Sequence, residues 1–117
     1  MVNLQCNQIS TKELIKCVFG LKKTELKIFL LLLKEKKGIS GNNIAKEIKL
    51  DRTTIQKSIT LLLDKKIVLR RQINLNTGGY NFVYSINEKE KLQEMIKKII
   101  EDWKIVAEKQ LENIFEN

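Results

Sequence analysis

The stretch SGNNIAKEIKLDRTTIQKSITLLLDKK, residues 40–66, decides how this chain is read. Two helical patterns meet in it across a short turn. Ser40 is a hydroxyl cap for a short helix whose inward side is Ile44, Ala45 and Ile48. Asp51 caps the next helix, over 52–66, in which Ile55, Ile59 and Leu62 recur at helical spacing and point one way. Two helices that cross at a tight turn need a small residue where they touch and apolar residues that lock their angle. Ala45 is the small residue, and Ile44, Ile48, Leu50, Ile55 and Ile59 are the lock, at the offsets of a helix-turn-helix. The outward side of the second helix carries Arg52, Thr53, Gln56, Lys57 and Thr60, with Thr54 beside the cap. These side chains donate and accept hydrogen bonds, and they are types that read base edges or hold phosphates. A helix docked at this angle presents its N-terminal turn to a major groove. Asp64, the acid of this helix, lies far from that tip.

Working outward, Ser10 and Glu13 have the spacing of a capping box for a helix over 11–19 that Gly20 ends. Leu26, Phe29, Leu30 and Leu33 line one face of a second, strongly apolar helix, expected to close at Gly38. On the C-terminal side, 67–75 changes to the period of a strand, with Leu69, Arg71, Ile73 and Leu75 on one side. Asn76, Thr77, Gly78 and Gly79 form a turn before a second strand over 80–86, which is a hairpin signal. A hairpin at this place is a wing. Its basic pair Arg70 and Arg71 and its tip, Asn76 to Gly79, join the expected DNA contacts, along the backbone or in a minor groove.

Asn87 and Glu90 form a further cap pair for a helix that runs to about Phe115, roughly 40 Å at 1.5 Å per residue. Leu92, Ile96, Ile99, Trp103 and Val106 recur along it at steps of three and four, and Leu111 and Ile114 widen the seam. Leaving such side chains in water is unfavourable by about 1.5–3 kcal/mol each. Part of the seam could cover the chain's own domain as a lid, but the helix is too long for that role alone, so a homodimer is expected. The fold class is thus mainly α with a β-hairpin wing: a winged helix-turn-helix DNA-binding domain over 10–87 and a dimerisation helix over 88–117.

Composition agrees with this division. The chain has 117 residues, 43% hydrophobic and 31% charged, which suits one globular domain with a protruding element. Of its 22 basic and 14 acidic residues, six Lys and eight acids follow Asn87, so the first 87 residues carry +10 and the remainder −2. A basic region joined to a mildly acidic helix fits a nucleic-acid binder with a separate assembly element. The sequence has no His, which removes the commonest general base and metal ligand, and it shows no clustered acid pair or phosphate loop, so it reads as a non-enzyme. No metal or cofactor is expected. Cys6 and Cys17 have no metal or redox spacing and read as free reduced thiols. Residues 1–10 lack a secretory pattern, and the apolar run 28–33 is far below the roughly 20 residues of a membrane span. A soluble, cytoplasmic protein is expected, with no membrane partner.

Gly20-Leu21 with Glu25, Ile44-Ala45-Lys46-Glu47-Ile48, Arg52-Thr53-Thr54-Ile55 and Leu69-Arg70-Arg71 together resemble the TrmB-like winged-helix regulators of archaea. The resemblance covers about residues 14–86, and the last helix is similar to the family's dimerising helix. It implies a dimeric transcription factor whose recognition helix starts at Arg52. Similarity to the broader MarR and ArsR groups is weaker, and the paired ligands of ArsR metal sensors are missing. Many TrmB relatives carry a separate C-terminal sugar-binding domain, and this sequence reads as a short form without one. It departs from the family at Lys22, where a Ser or Thr cap is usual, and at Lys49, where Gly is common in the turn. The expected function is a sequence-specific double-stranded DNA-binding transcriptional regulator acting as a homodimer, its small-molecule effector unknown. A sequence-tolerant, chromatin-like DNA binder and a winged-helix protein-interaction adaptor are the alternatives.

Overall fold

The computed structural model describes residues 9–116, so Cys6 and Asn117 lie outside the described residues, whereas Cys17 is exposed as a free thiol. The chain forms two compact units that divide after Asn87.

In the first unit the three expected polar caps start their helices. Helix α1, Thr11–Phe19, begins at Ser10, whose hydroxyl accepts from the Glu13 N–H at 3.1 Å. It ends on Gly20 in the left-handed region, and the N–H groups of Gly20 and Leu21 return to the carbonyls of Cys17 and Lys16. Helix α2, Lys23–Lys34, starts at Lys22, which has no side-chain acceptor to offer; Glu25 accepts the Lys22 N–H instead, at 3.3 Å. Its inward face is Glu25, Ile28, Phe29 and Leu32, not the expected set: Phe29 is shared, but Leu33 is exposed and Leu26 and Leu30 are half-buried. A run of consecutive apolar residues carries no phase, so contacts with the rest of the unit set the rotation. The helix also closes at Lys34, four residues before Gly38. That glycine, at φ 97°, bends the chain into a two-residue strand β1, Ile39–Ser40, which the sequence reading lacks.

Helix α3, Gly41–Ile48, is capped by Ser40, and helix α4, Arg52–Asp64, by Asp51. Between them Lys49 adopts φ 64°, the left-handed turn conformation in which glycine is cheapest. Helix α4 stops two residues before the expected Lys66, because Lys66 itself turns left-handed at φ 61°. Strands β2, Val68–Asn74, and β3, Tyr80–Ile86, pair antiparallel from Val68 with Ile86 to Asn74 with Tyr80. Strand β1 adds to the other side of β3, giving the order β1-β3-β2. Ile28, Leu32, Ile44, Ile55, Ile59, Leu62, Ile67 and Val68 are fully buried, so every helix from α2 to α4 and the root of the wing meet in one core. Each such side chain contributes about 1.5–3 kcal/mol by leaving water. The unit is a winged helix-turn-helix.

The second unit is one helix, α5, Lys89–Phe115, with Glu88 at its N-cap. The expected cap at Asn87 sits one residue too early, and the Asn87 amide donates to the Lys66 carbonyl at 2.8 Å. Among the described residues no helix is long and apolar enough to cross a membrane.

Candidate nucleic-acid interface

Helix α4 owes its outward face to three buried anchors. Ile55, Ile59 and Leu62 are at 0% exposure, which fixes the helix's rotation and turns Thr53, Lys57 and Thr60 to solvent. Arg52, Thr53, Gln56, Lys57, Thr60 and Leu61 line one open groove along it. Leu61 is exposed and was not among the expected contacts; its signal was hidden in the run Leu61-Leu62-Leu63, where only the structure shows which leucine faces out.

The N-terminal turn of this helix is tightly wired. Asp51 accepts the Thr54 hydroxyl at 2.6 Å and the Thr54 N–H at 3.1 Å. The Thr54 hydroxyl and then its N–H hold the Asp51 carboxyl below the usual 3.8. Thr54, an expected DNA contact, is half-buried and uses its hydroxyl on this cap. Arg52 lies back across the turn: its Nε donates to Asn42 Oδ1 at 2.7 Å and its Nη1 to Gln56 Oε1 at 3.2 Å. Its guanidinium occupies the space where a side chain at Gly41 would be. The Thr60 hydroxyl donates to the Gln56 carbonyl at 2.8 Å, so its oxygen can still act as an acceptor. Asn42 and Gly41 belong to the site but escaped the sequence reading.

The wing separates its two arginines. Paired residues across a ladder share a face, so Arg70 falls with Tyr84 and Gln72 with Phe82, whereas Arg71 falls with Val83 on the other side. Arg70 stacks over the Phe82 ring at 4.3 Å, and Tyr80 meets that ring edge-on at 5.3 Å between centroids. Arg71 reaches back to the Lys37 carbonyl at 3.4 Å. At the tip, Gly78 and Gly79 take φ 92° and 77°, and a Cβ on either would meet nothing. Asn76 and Thr77 are exposed there.

On α5, Trp103, Val106, Leu111 and Ile114 of the expected seam are exposed, Ile96 and Ile99 are half-buried, and Leu92 is buried. Ile105 and Phe115 add to the exposed apolar surface.

The family model of the sugar-specific transcriptional regulator TrmB matches residues 15–97. The chain belongs to the TrmB family. An uncharacterized protein from Methanocaldococcus jannaschii is 35% identical over 104 residues, spanning 88% of this chain and 77% of that protein. A possible transcriptional regulator from Methanosarcina mazei Go1 matches the whole chain and 98% of its own, with 32% identity and a TM-score of 0.81. A protein from the thermoacidophilic archaeon Sulfolobus tokodaii shares the fold, with a TM-score of 0.69 at 22% identity over 82% of this chain and 93% of its own. The chain therefore has the fold and family membership of a transcriptional regulator, with relatives in archaea.

Proposed function

We propose that this TrmB-family chain is a sequence-specific, double-stranded DNA-binding transcriptional regulator that works as a homodimer in the cytoplasm. The observation that carries the reading is Arg52 at the first position of α4. A cation there opposes the positive end of the helix dipole, so it weakens the helix slightly and has its use elsewhere. With Thr53, Gln56, Lys57 and Thr60 it makes a hydrogen-bonding face on a helix held rigid from behind. Thr53, Gln56 and Lys57 are assigned to bases, and the wing, through Arg70, Arg71 and the tip from Asn76 to Gly79, to the backbone or a minor groove. The apolar residues of α5 support pairing with a second copy, because Trp103, Ile105, Val106, Leu111, Ile114 and Phe115 are exposed among the described residues. A twofold pair would set the recognition helices about 34–36 Å apart, one turn of duplex.

Binding of random-sequence duplex across a salt series, followed by selection of the bound sequences, tests the proposal. Counterion release gives a log-log slope of about −0.9 per phosphate neutralised, so a slope of several units and enrichment of a palindromic motif are expected. Salt-dependent binding without a motif would point to the chromatin-like alternative, and no duplex binding at low salt to the adaptor.

A further inference from the structure

Residues on both sides of the helix-turn-helix turn form one unit. A guanidinium has five N–H donors and no acceptor. Both amides that touch Arg52, Asn42 and Gln56, must therefore turn their oxygens toward it, and this orients the Gln56 amide without ambiguity. With two of its five donors engaged, Arg52 keeps three N–H groups, and Gln56 keeps both of its amide hydrogens. The guanidinium's positive charge beside Gln56 Oε1 disfavours the approach of a further N–H donor to that oxygen. Gly41 stands at the start of α3 and is not among the residues with positive φ. The guanidinium occupies the space a Cβ there would take, so a side chain at this position would displace it, although the backbone would accept one.

An unengaged glutamine suits adenine, which offers an N7 acceptor and an N6 donor in the major groove. Guanine offers N7 and O6, two acceptors. We propose, building on the DNA-binding reading above, that the Arg52-Gln56 unit reads guanine at the base pair facing the first turn of α4, with Asn42 as the positioning residue. Asn42 holds the Arg52 Nε, the guanidinium then occupies Gln56 Oε1, and Gln56 is converted from an adenine reader into a donor. Gly41 leaves the room in which this happens.

Selection from a randomised duplex pool with the full-length chain tests the assignment. Wild type is expected to favour guanine over adenine at one position of each half-site by about 5- to 150-fold, the range of one good base contact. Asn42→Ala removes the anchor and Gly41→Ala displaces the guanidinium, and both should move that position toward adenine while the rest of the motif persists. Asn42→Asp keeps an acceptor for Nε and should retain guanine, with weaker binding overall from its added negative charge. A loss of packing alone would lower affinity across all sequences without exchanging one base for another. A motif identical in wild type, Asn42→Ala and Gly41→Ala overturns the proposal, as does adenine in wild type at the position that Gln56→Ala flattens. Absence of any motif in wild type overturns the recognition-helix reading itself, which separates the two failures.

Discussion

Lys49 occupies the left-handed region at φ 64°, where a residue with a Cβ is disfavoured by roughly 1–2 kcal/mol. Glycine avoids that cost but loses about 0.5–1 kcal/mol through the freedom of the unfolded chain. Lys49→Gly is therefore expected to stabilise the first unit by up to about 1.5 kcal/mol, seen as a higher urea midpoint at unchanged slope. A midpoint that falls would show that the lysine side chain makes a contact worth more than the turn strain. Asp51 sets a different dependence. Its carboxyl is held below 3.8 in the folded chain by the Thr54 hydroxyl and N–H, so the folded state binds its proton less readily than the unfolded state. Its contribution is fully present above 3.8 and is lost as pH falls through the lower folded value. Asp51→Asn keeps an acceptor for Thr54 and should remove that component of acid sensitivity. Unfolding curves of the two proteins that run parallel below pH 4 would refute it.

At the scale of elements, the local signals were legible and the distant ones were not. Ser10, Ser40 and Asp51 each announce a helix start because a cap bond reaches only three residues, and all three bonds form. The hairpin was equally plain, since its turn and strands are continuous in sequence. Strand β1 was not: two residues have no period, and its partner Tyr84 lies far along the chain. The rotation of α2 was illegible for a related reason, because apolar side chains cover most of its circumference. In the site, the outward side chains of α4 followed from its period. The Asn42-Arg52 bond did not, because it forms only once the turn folds α3 against α4. Lys65 is another such long link. Its ammonium donates to the Phe19 carbonyl at 2.6 Å and the Gly20 carbonyl at 3.2 Å, closing the C-terminal end of α1 from 46 and 45 residues away. Lys65→Met should destabilise the unit by about 1 kcal/mol and speed amide exchange in the last turn of α1. Unchanged exchange there would show that the bond carries no load in solution.

For the whole molecule, the separation of charge into a +10 region and a −2 helix agrees with the proposed division of labour, polyanion contact by one unit and pairing by the other. Trp103 is the sole tryptophan and is 71% exposed in the single chain, so its fluorescence reports pairing directly. Emission is expected to move to longer wavelength on dilution through the dimer's dissociation constant, and Trp103→Lys should yield a monomer by sedimentation. A full-length chain sedimenting as a monomer at micromolar concentration would end the dimer reading. The strand order has one more consequence for the molecule in solution. With β3 in the centre, β2 is an edge of the sheet among the described residues, and an edge strand carries a row of backbone donors and acceptors that can pair with another chain. Leu69 and Ile73 on that strand are exposed and β-prone, and between them stand Arg70 and Arg71. Like charge on these arginines would oppose the pairing of two wings into a shared ribbon, the role of a gatekeeper residue. A chain that has lost both, while still natively folded, would fail by precipitation at high concentration, and heparin or any other polyanion crowded against the wild-type wing would bring the same hazard closer by cancelling the charge that prevents it.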